Sequence, residues 1–173
     1  MIYGLAYPAF DAESAARIHA FRARHEPKRA RLVPPHVTLV FSVANAHPPA
    51  ILALVEKVAG TSGAFPMIFD RCVIEYDPFE ATRKHALLCG EGGAHIRALH
   101  ERLYAGPHRS ELSADHPFKP HMTIASHTDR ADAERVDLRA LGALPIRADI
   151  TALHVVGLEA GRLSELKTAP LLN

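Results

Sequence analysis

The chain has 173 residues, 48% hydrophobic and 23% charged, with 20 Lys and Arg against 19 Asp and Glu for a formal net charge of +1. That composition excludes a disordered or collagen-like chain and fits a soluble globular domain of ordinary size. A long nucleic-acid track would need a strongly basic face, so the near-neutral balance points to a small substrate or to the end of a nucleic acid.

Residues 2–7 (IYGLAY) read as a buried strand, and with no basic stretch before it the N-terminus does not read as a signal peptide. No apolar run reaches the roughly 18 residues of a spanning helix, so a cytoplasmic location without a membrane partner is expected. Residues 11–25 place Ala15, Ile18, Ala20 and Phe21 at helical spacing behind a capping Asp11. Residues 36–43 (HVTLVFSV) read as a strand. Residues 48–59 read as a helix opened by Pro48 and Pro49, with Ile51, Leu54, Val55 and Val58 as its stripe and Gly60 and Gly63 behind it. Residues 65–76 are β-rich. The pattern then restarts: strand at 85–90, helix at 94–105, strand at 121–125 (HMTIA), helix at 131–141, a long strand at 146–158 and a last one at 162–168. Segments 77–83 and 106–119 are polar, Pro-bearing and read as loops.

Strand, helix, strand, helix, strand thus occurs twice. Pro35-His36-x-Thr38 recurs as Pro120-His121-x-Thr123, and Pro66 and Asp70 recur as Pro145 and Asp149. A repeat near half the chain length implies two similar lobes around a pseudo-twofold axis. Cys72 and Cys89 lie in apolar strand-like runs without a CxxC spacing and are expected to be reduced core residues.

Each half carries His–apolar–Thr–apolar: His36-Val37-Thr38-Leu39 and His121-Met122-Thr123-Ile124. Residues two apart on a strand share a face, so His and Thr point one way and the apolar residues point into the core. With 12 His and 7 Thr in the chain, the full tetrad would arise about 0.1 times by chance. The chemistry that needs two such faces across a cleft is phosphodiester cleavage. One imidazole takes a proton from water, the other gives one to the leaving oxygen, and the threonine hydroxyls donate to the non-bridging oxygens. No metal or other cofactor is required. A non-catalytic module that binds a nucleotide or RNA end is the alternative, although Arg or Lys would serve simple capture better.

The tetrads, set in PPHVTLVF and FKPHMTIA, resemble the 2H phosphoesterase superfamily in its bacterial 2′-5′ RNA ligase-like branch. The resemblance covers nearly the whole chain in length and element order, with its specific signal in the tetrads and their flanks. It implies one bilobal α+β domain over 1–173, with two antiparallel sheets lining a central cleft and helices outside. It also implies hydrolysis of 2′,3′-cyclic phosphodiesters, typically to 2′-phosphates, with reversible 2′-5′ ligation in some members. The substrate partner would be a nucleotide or RNA terminus carrying a cyclic phosphate, with no obligatory protein partner. His36 and His121 match the catalytic histidines, Thr38 and Thr123 the phosphate-binding threonines, and Phe41 a Phe often found in the first motif. Bacterial members often carry Arg shortly after the second motif, where this chain reads Ala125-Ser126-His127. The missing cation is expected from Lys28, Arg29, Arg31 or Lys119.

Residues 17–31 hold six basic side chains and one acid, a phosphate-facing rim or simply a solvated face. Phe10, Phe41, Tyr76, Phe79 and Phe118 are candidates to stack a base at the cleft mouth, with Phe79 and Phe118 beside loops; core packing is the alternative. His116 and His127 flank the second motif without a metal-ligand spacing. His47, His85, His95, His100, His108 and His154 read as surface residues. Gly90-Glu91-Gly92-Gly93 reads as a turn before a helix.

Overall fold

The structure, a computed structural model, describes every residue except 44–47, 107 and 115. His47 and two positions of the 106–119 loop therefore lie outside the described residues. The chain begins with β1 (Ile2–Ala6) and a short β2 (Ala9–Phe10). Asp11 then caps α1 (Ala12–His25), its carboxylate accepting from the Ser14 amide at 2.8 Å. Pro27 has no N–H to continue the helix ladder but suits a first turn, so it ends α1 and opens α2 (Pro27–Leu32). This second helix carries no signal in the sequence, because six residues are too few to show a period.

β3 (Val37–Val43) and α3 (Pro48–Ala59) follow, then the hairpin of β4 (Phe65–Asp77) and β5 (Thr82–Cys89). Next come α4 (Gly93–Leu103) and β6 (His121–His127). Gly92, which caps α4, has a φ of 83° and lies so close to the Pro66 carbonyl that a Cβ would stand 2.5 Å from it. The expected helix at 131–141 is instead α5 (Arg130–Glu134) followed by a 3-10 turn at Leu138–Leu141. Asp137 breaks the run by capping the second turn, its carboxylate accepting from the Arg139 amide at 3.0 Å.

The apolar run 146–158, expected as one strand, divides at Thr151 into β7 (Ile146–Ile150) and β8 (Ala152–Glu159). The two serve opposite halves of the structure, since β7 pairs with β4 and β8 with β1. β9 (Arg162–Pro170) completes the set.

Among the described residues the nine strands form one curled antiparallel sheet in the order β2-β7-β4-β5-β6-β3-β1-β8-β9. It consists of two antiparallel halves that meet where β6 pairs with β3, at Val37 and Met122. The halves are not consecutive in sequence. Strand β8 returns to pair with β1 and β9 adds to β8 at the edge, while β2 crosses to join β7. The helices cross likewise: α1 packs on β6, and α4 packs on β3 and β4. The fold is α+β, and the core lies between sheet and helices, with Ile18, Phe21, Leu39, Ile51, Val55, Ile96, Leu103 and Ile124 all buried.

Three histidines expected at the surface are buried instead: His85, His100 and His108. His100 Nδ1 donates to the Leu39 carbonyl at 2.7 Å, and its ring stacks on Phe118, which offsets the cost of burying an imidazole. Burial holds the His85, His100 and His108 imidazoles below their ordinary range. Cys72 and Cys89 are free thiols, pushed up by burial to about 11 and about 12. No helix among the described residues is long and apolar enough to cross a membrane.

Candidate active site

The Val37–Met122 pair joins β3 to β6 antiparallel. Extended by one residue each way, that register sets His36 opposite Thr123 and Thr38 opposite His121. Directly opposed residues in an antiparallel pair share a face, so all four polar side chains of the tetrads project from one side of the seam. Burial agrees: Val37, Leu39, Met122 and Ile124 are fully buried on the core side, whereas His36, Thr38, His121 and Thr123 are half-buried.

Both imidazoles are held in the same way. His36 Nδ1 lies 2.8 Å from the Pro34 carbonyl, and His121 Nδ1 lies 2.7 Å from the Lys119 carbonyl, each two residues back. A carbonyl only accepts, so Nδ1 carries a proton in both rings, and Nε2 is left as the atom that takes up or gives one. The proline before each histidine fits this geometry. Pro35 and Pro120 fix their own φ and bias the preceding residue to extended backbone, which turns its carbonyl back toward the ring. Neither the Thr38 nor the Thr123 hydroxyl has a hydrogen-bond partner among the described residues, so both are free to donate.

Burial is the main cause that lowers His36 to about 4, aided by the charges of Arg22, Arg29 and His121 and opposed by the bond to Pro34. His36 is therefore a neutral imidazole at neutral pH. On its other side the edge of the Tyr7 ring lies 6.5 Å away between centroids, and Tyr7 leans on His154 at 4.5 Å. Burial raises the Tyr7 phenol, with a further push from Glu165. His154 Nδ1 is 3.1 Å from the Thr168 hydroxyl and 3.3 Å from Glu165.

The residues expected to bind substrate do not all converge. Phe41 is 48% exposed three residues beyond Thr38, with its amide donating to the Tyr104 hydroxyl at 3.1 Å. Arg29 Nη2 donates to both oxygens of Glu80, at 2.6 and 2.7 Å. Lys119 is ion-paired with Glu75. Arg31 is exposed on α2 and has no ion pair among the described residues. Phe118 lies parallel to the buried His100 ring at 3.8 Å and packs on the core. Of the two stacking candidates beside loops, Phe79 stays exposed and meets His116 edge-on at 4.9 Å.

In the Ala125-Ser126-His127 segment after the second tetrad, Ser126 lies opposite Lys84 of β5. The Lys84 ammonium is bound by Asp77 and, at 3.1 Å, by Glu80. His127 meets His25 and His85 edge-on. No group of three or more His, Cys, Asp or Glu among the described residues is placed to hold a metal ion.

Sequence reasoning missed Tyr7, His154 and Arg22. A signal existed only for Arg22, a charged residue on the apolar stripe of α1 four positions after Ile18 and four before Glu26.

Comparison with solved structures supports the same architecture. Escherichia coli LigT complexed with 3′-AMP is 20% identical, with 100% of each chain covered and a TM-score of 0.62. TT0787 of Thermus thermophilus is 23% identical, with 99% of this chain and 98% of that one covered and a TM-score of 0.63. Kluyveromyces marxianus Usb1 is 13% identical, with 98% of each covered and a TM-score of 0.65. At these identities the likeness is one of fold. No curated protein sequence matches the chain. A family model, that of the 2′-5′ RNA ligase superfamily, matches residues 10–162. With both tetrads inside that span, the chain belongs to the 2′-5′ RNA ligase superfamily, the 2H phosphoesterases.

Proposed function

We propose that the chain is a metal-independent phosphodiesterase that opens 2′,3′-cyclic phosphates on nucleotides or RNA ends. The observation that carries this reading is the matched pair of imidazoles, each tied at Nδ1 and each with Nε2 free on the same face of the seam. Simple capture of an anion would not need two imidazoles each fixed at Nδ1 with Nε2 left open.

His36, neutral at working pH, is the general base, and His121 is the general acid, a role that requires it to enter the step with a proton on both ring nitrogens. His36 Nε2 takes a proton from water as the water oxygen bonds to phosphorus. The bond from phosphorus to the 3′ oxygen breaks, and that oxygen takes a proton from His121 Nε2. A 2′-phosphate and a 3′ hydroxyl result, and solvent exchange returns each ring to its starting state. Thr38 and Thr123 donate to the non-bridging oxygens, where charge builds as water adds. That LigT, a protein of the same fold, was crystallised with 3′-AMP is in keeping with a nucleotide ligand. The reverse reaction would join a 2′-phosphate to a hydroxyl, which is 2′-5′ ligation.

The test uses two substrates, a 2′,3′-cyclic mononucleotide and a short RNA ending in a cyclic phosphate, with products resolved by phosphorus NMR. Conversion of either to a 2′-monophosphate is expected. Tight binding of both with no conversion would contradict the enzyme reading and leave a binding module.

A further inference from the structure

The Val33-Pro34-Pro35-His36 segment delivers His36 to the seam through two residues that lack a backbone N–H. Such a stretch is anchored through its carbonyls. At the second motif that anchor is main chain: the Cys89 amide of β5 donates to the Pro120 carbonyl at 3.2 Å. At the first motif it is a side chain. Arg22 Nη1 donates to the Val33 carbonyl at 3.0 Å, one residue before the carbonyl that holds His36 Nδ1. The Val33 amide is bound in turn to the Arg29 carbonyl at 3.0 Å.

Arg22 is only 1% exposed, on the core stripe of α1 beside Ile18 and Phe21. Its Nε donates to Glu26, which is also buried, and Arg29 Nε approaches the other Glu26 oxygen at 3.8 Å. Burial pushes the Glu26 carboxyl up against the pull of Arg22. A buried ion pair costs several kcal/mol per ion in desolvation, and a well-packed apolar pair is often as stable or more so. Packing alone therefore does not account for an arginine at this position.

We infer that Arg22 is a positioning residue for His36: it pins the turn that aims the imidazole and holds a fixed positive charge beside it. The inference rests on the two-histidine reading above. The charged and titratable groups around His36 are Arg22 from α1, Arg29 from α2, His121 from β6 and the Tyr7 phenol just beyond β1. Arg29 shares its charge with Glu80 at the surface, whereas Arg22 is sealed with Glu26. Both guanidiniums oppose a proton on His36, so the ring rests as a base with its Nε2 lone pair available.

The test compares wild type with Arg22→Lys and with the double variant Arg22→Met/Glu26→Leu, which removes both ions together. Two quantities are read: kcat and KM on a 2′,3′-cyclic nucleotide, and the titration midpoint of the His36 ring by proton NMR, identified by its loss in His36→Ala. In the double variant kcat should fall about tenfold or more with KM little changed, and the His36 midpoint should rise by about half a unit or more. Arg22→Lys keeps the charge but not the fork, so kcat should fall while the midpoint stays. A folded double variant with wild-type kcat and midpoint would overturn the inference. If the double variant does not fold, unchanged kcat in Arg22→Lys would overturn it. If wild type turns over no cyclic substrate, the enzyme reading fails, and the His36 midpoint still decides whether Arg22 acts on the ring.

Discussion

Val37 and Met122 face each other across the junction of the two half-sheets, and both are fully buried. Every polar residue of the tetrads is adjacent to one of this pair. The packing of two apolar side chains therefore sets the separation of the two histidines and links core to chemistry. Met122→Ala should cost about 2–5 kcal/mol, as large-to-small core changes do, and should lower turnover in the folded fraction. Met122→Leu should cost under about 1.5 kcal/mol and leave turnover near wild type. Urea unfolding with parallel rate assays separates the two effects.

The threonines should act on the rate more than on the fold. Thr38→Ala and Thr123→Ala are each expected to lower kcat about a hundredfold, by analogy with loss of one oxyanion donor. Both are half-buried and neither hydroxyl makes a hydrogen bond among the described residues, so thermal stability should change little. Steady-state kinetics beside a thermal melt checks this.

The rim residues should divide. Arg29 and Lys119 are matched by Glu80 and Glu75, so Arg29→Ala or Lys119→Ala should shift KM only a few-fold. Phe41, exposed beside the motif, is the better stacking candidate, and Phe41→Ala should raise KM about tenfold, within the range of one base-stacking contact. Phe118→Ala removes a ring from the His100 stack and should lower thermal stability while KM holds. A KM and melting survey of the four variants tests the division.

The tetrads, their strands and the inward alternation were legible in the sequence because a period of two and a repeated motif are local signals. The order of the strands was not. β7 and β8 read as one apolar run because nothing within residues 146–158 marks that its ends join opposite half-sheets. The buried histidines were missed for a similar reason. His100 has no local partner, and its acceptor, the Leu39 carbonyl, lies 61 residues away in sequence. Arg29 and Lys119 looked like free cations because Glu80 and Glu75 meet them only through the β4–β5 hairpin.

Acid should weaken the fold. His25, His36, His85, His100 and His108 all sit below the ordinary imidazole value of 6.5, each mainly through burial. Below 6.5 the unfolded chain binds protons that these folded rings refuse, so this contribution to stability is full above 6.5 and falls as pH drops toward their folded values, about 4 for His36. The melting temperature should therefore decline between pH 7 and pH 5. His85→Phe, which removes one buried imidazole, should flatten the decline, and an unchanged slope would contradict the assignment.

The central claim is that His36 and His121 together perform the chemistry without a metal. The most direct measurement is the initial rate of 2′,3′-cyclic nucleotide hydrolysis in EDTA by wild type, His36→Ala and His121→Ala, each shown folded by circular dichroism. Wild-type turnover should be undiminished in EDTA, and each variant should lose about a thousandfold or more. Wild-type activity abolished by EDTA, or turnover retained in either variant, would contradict the claim.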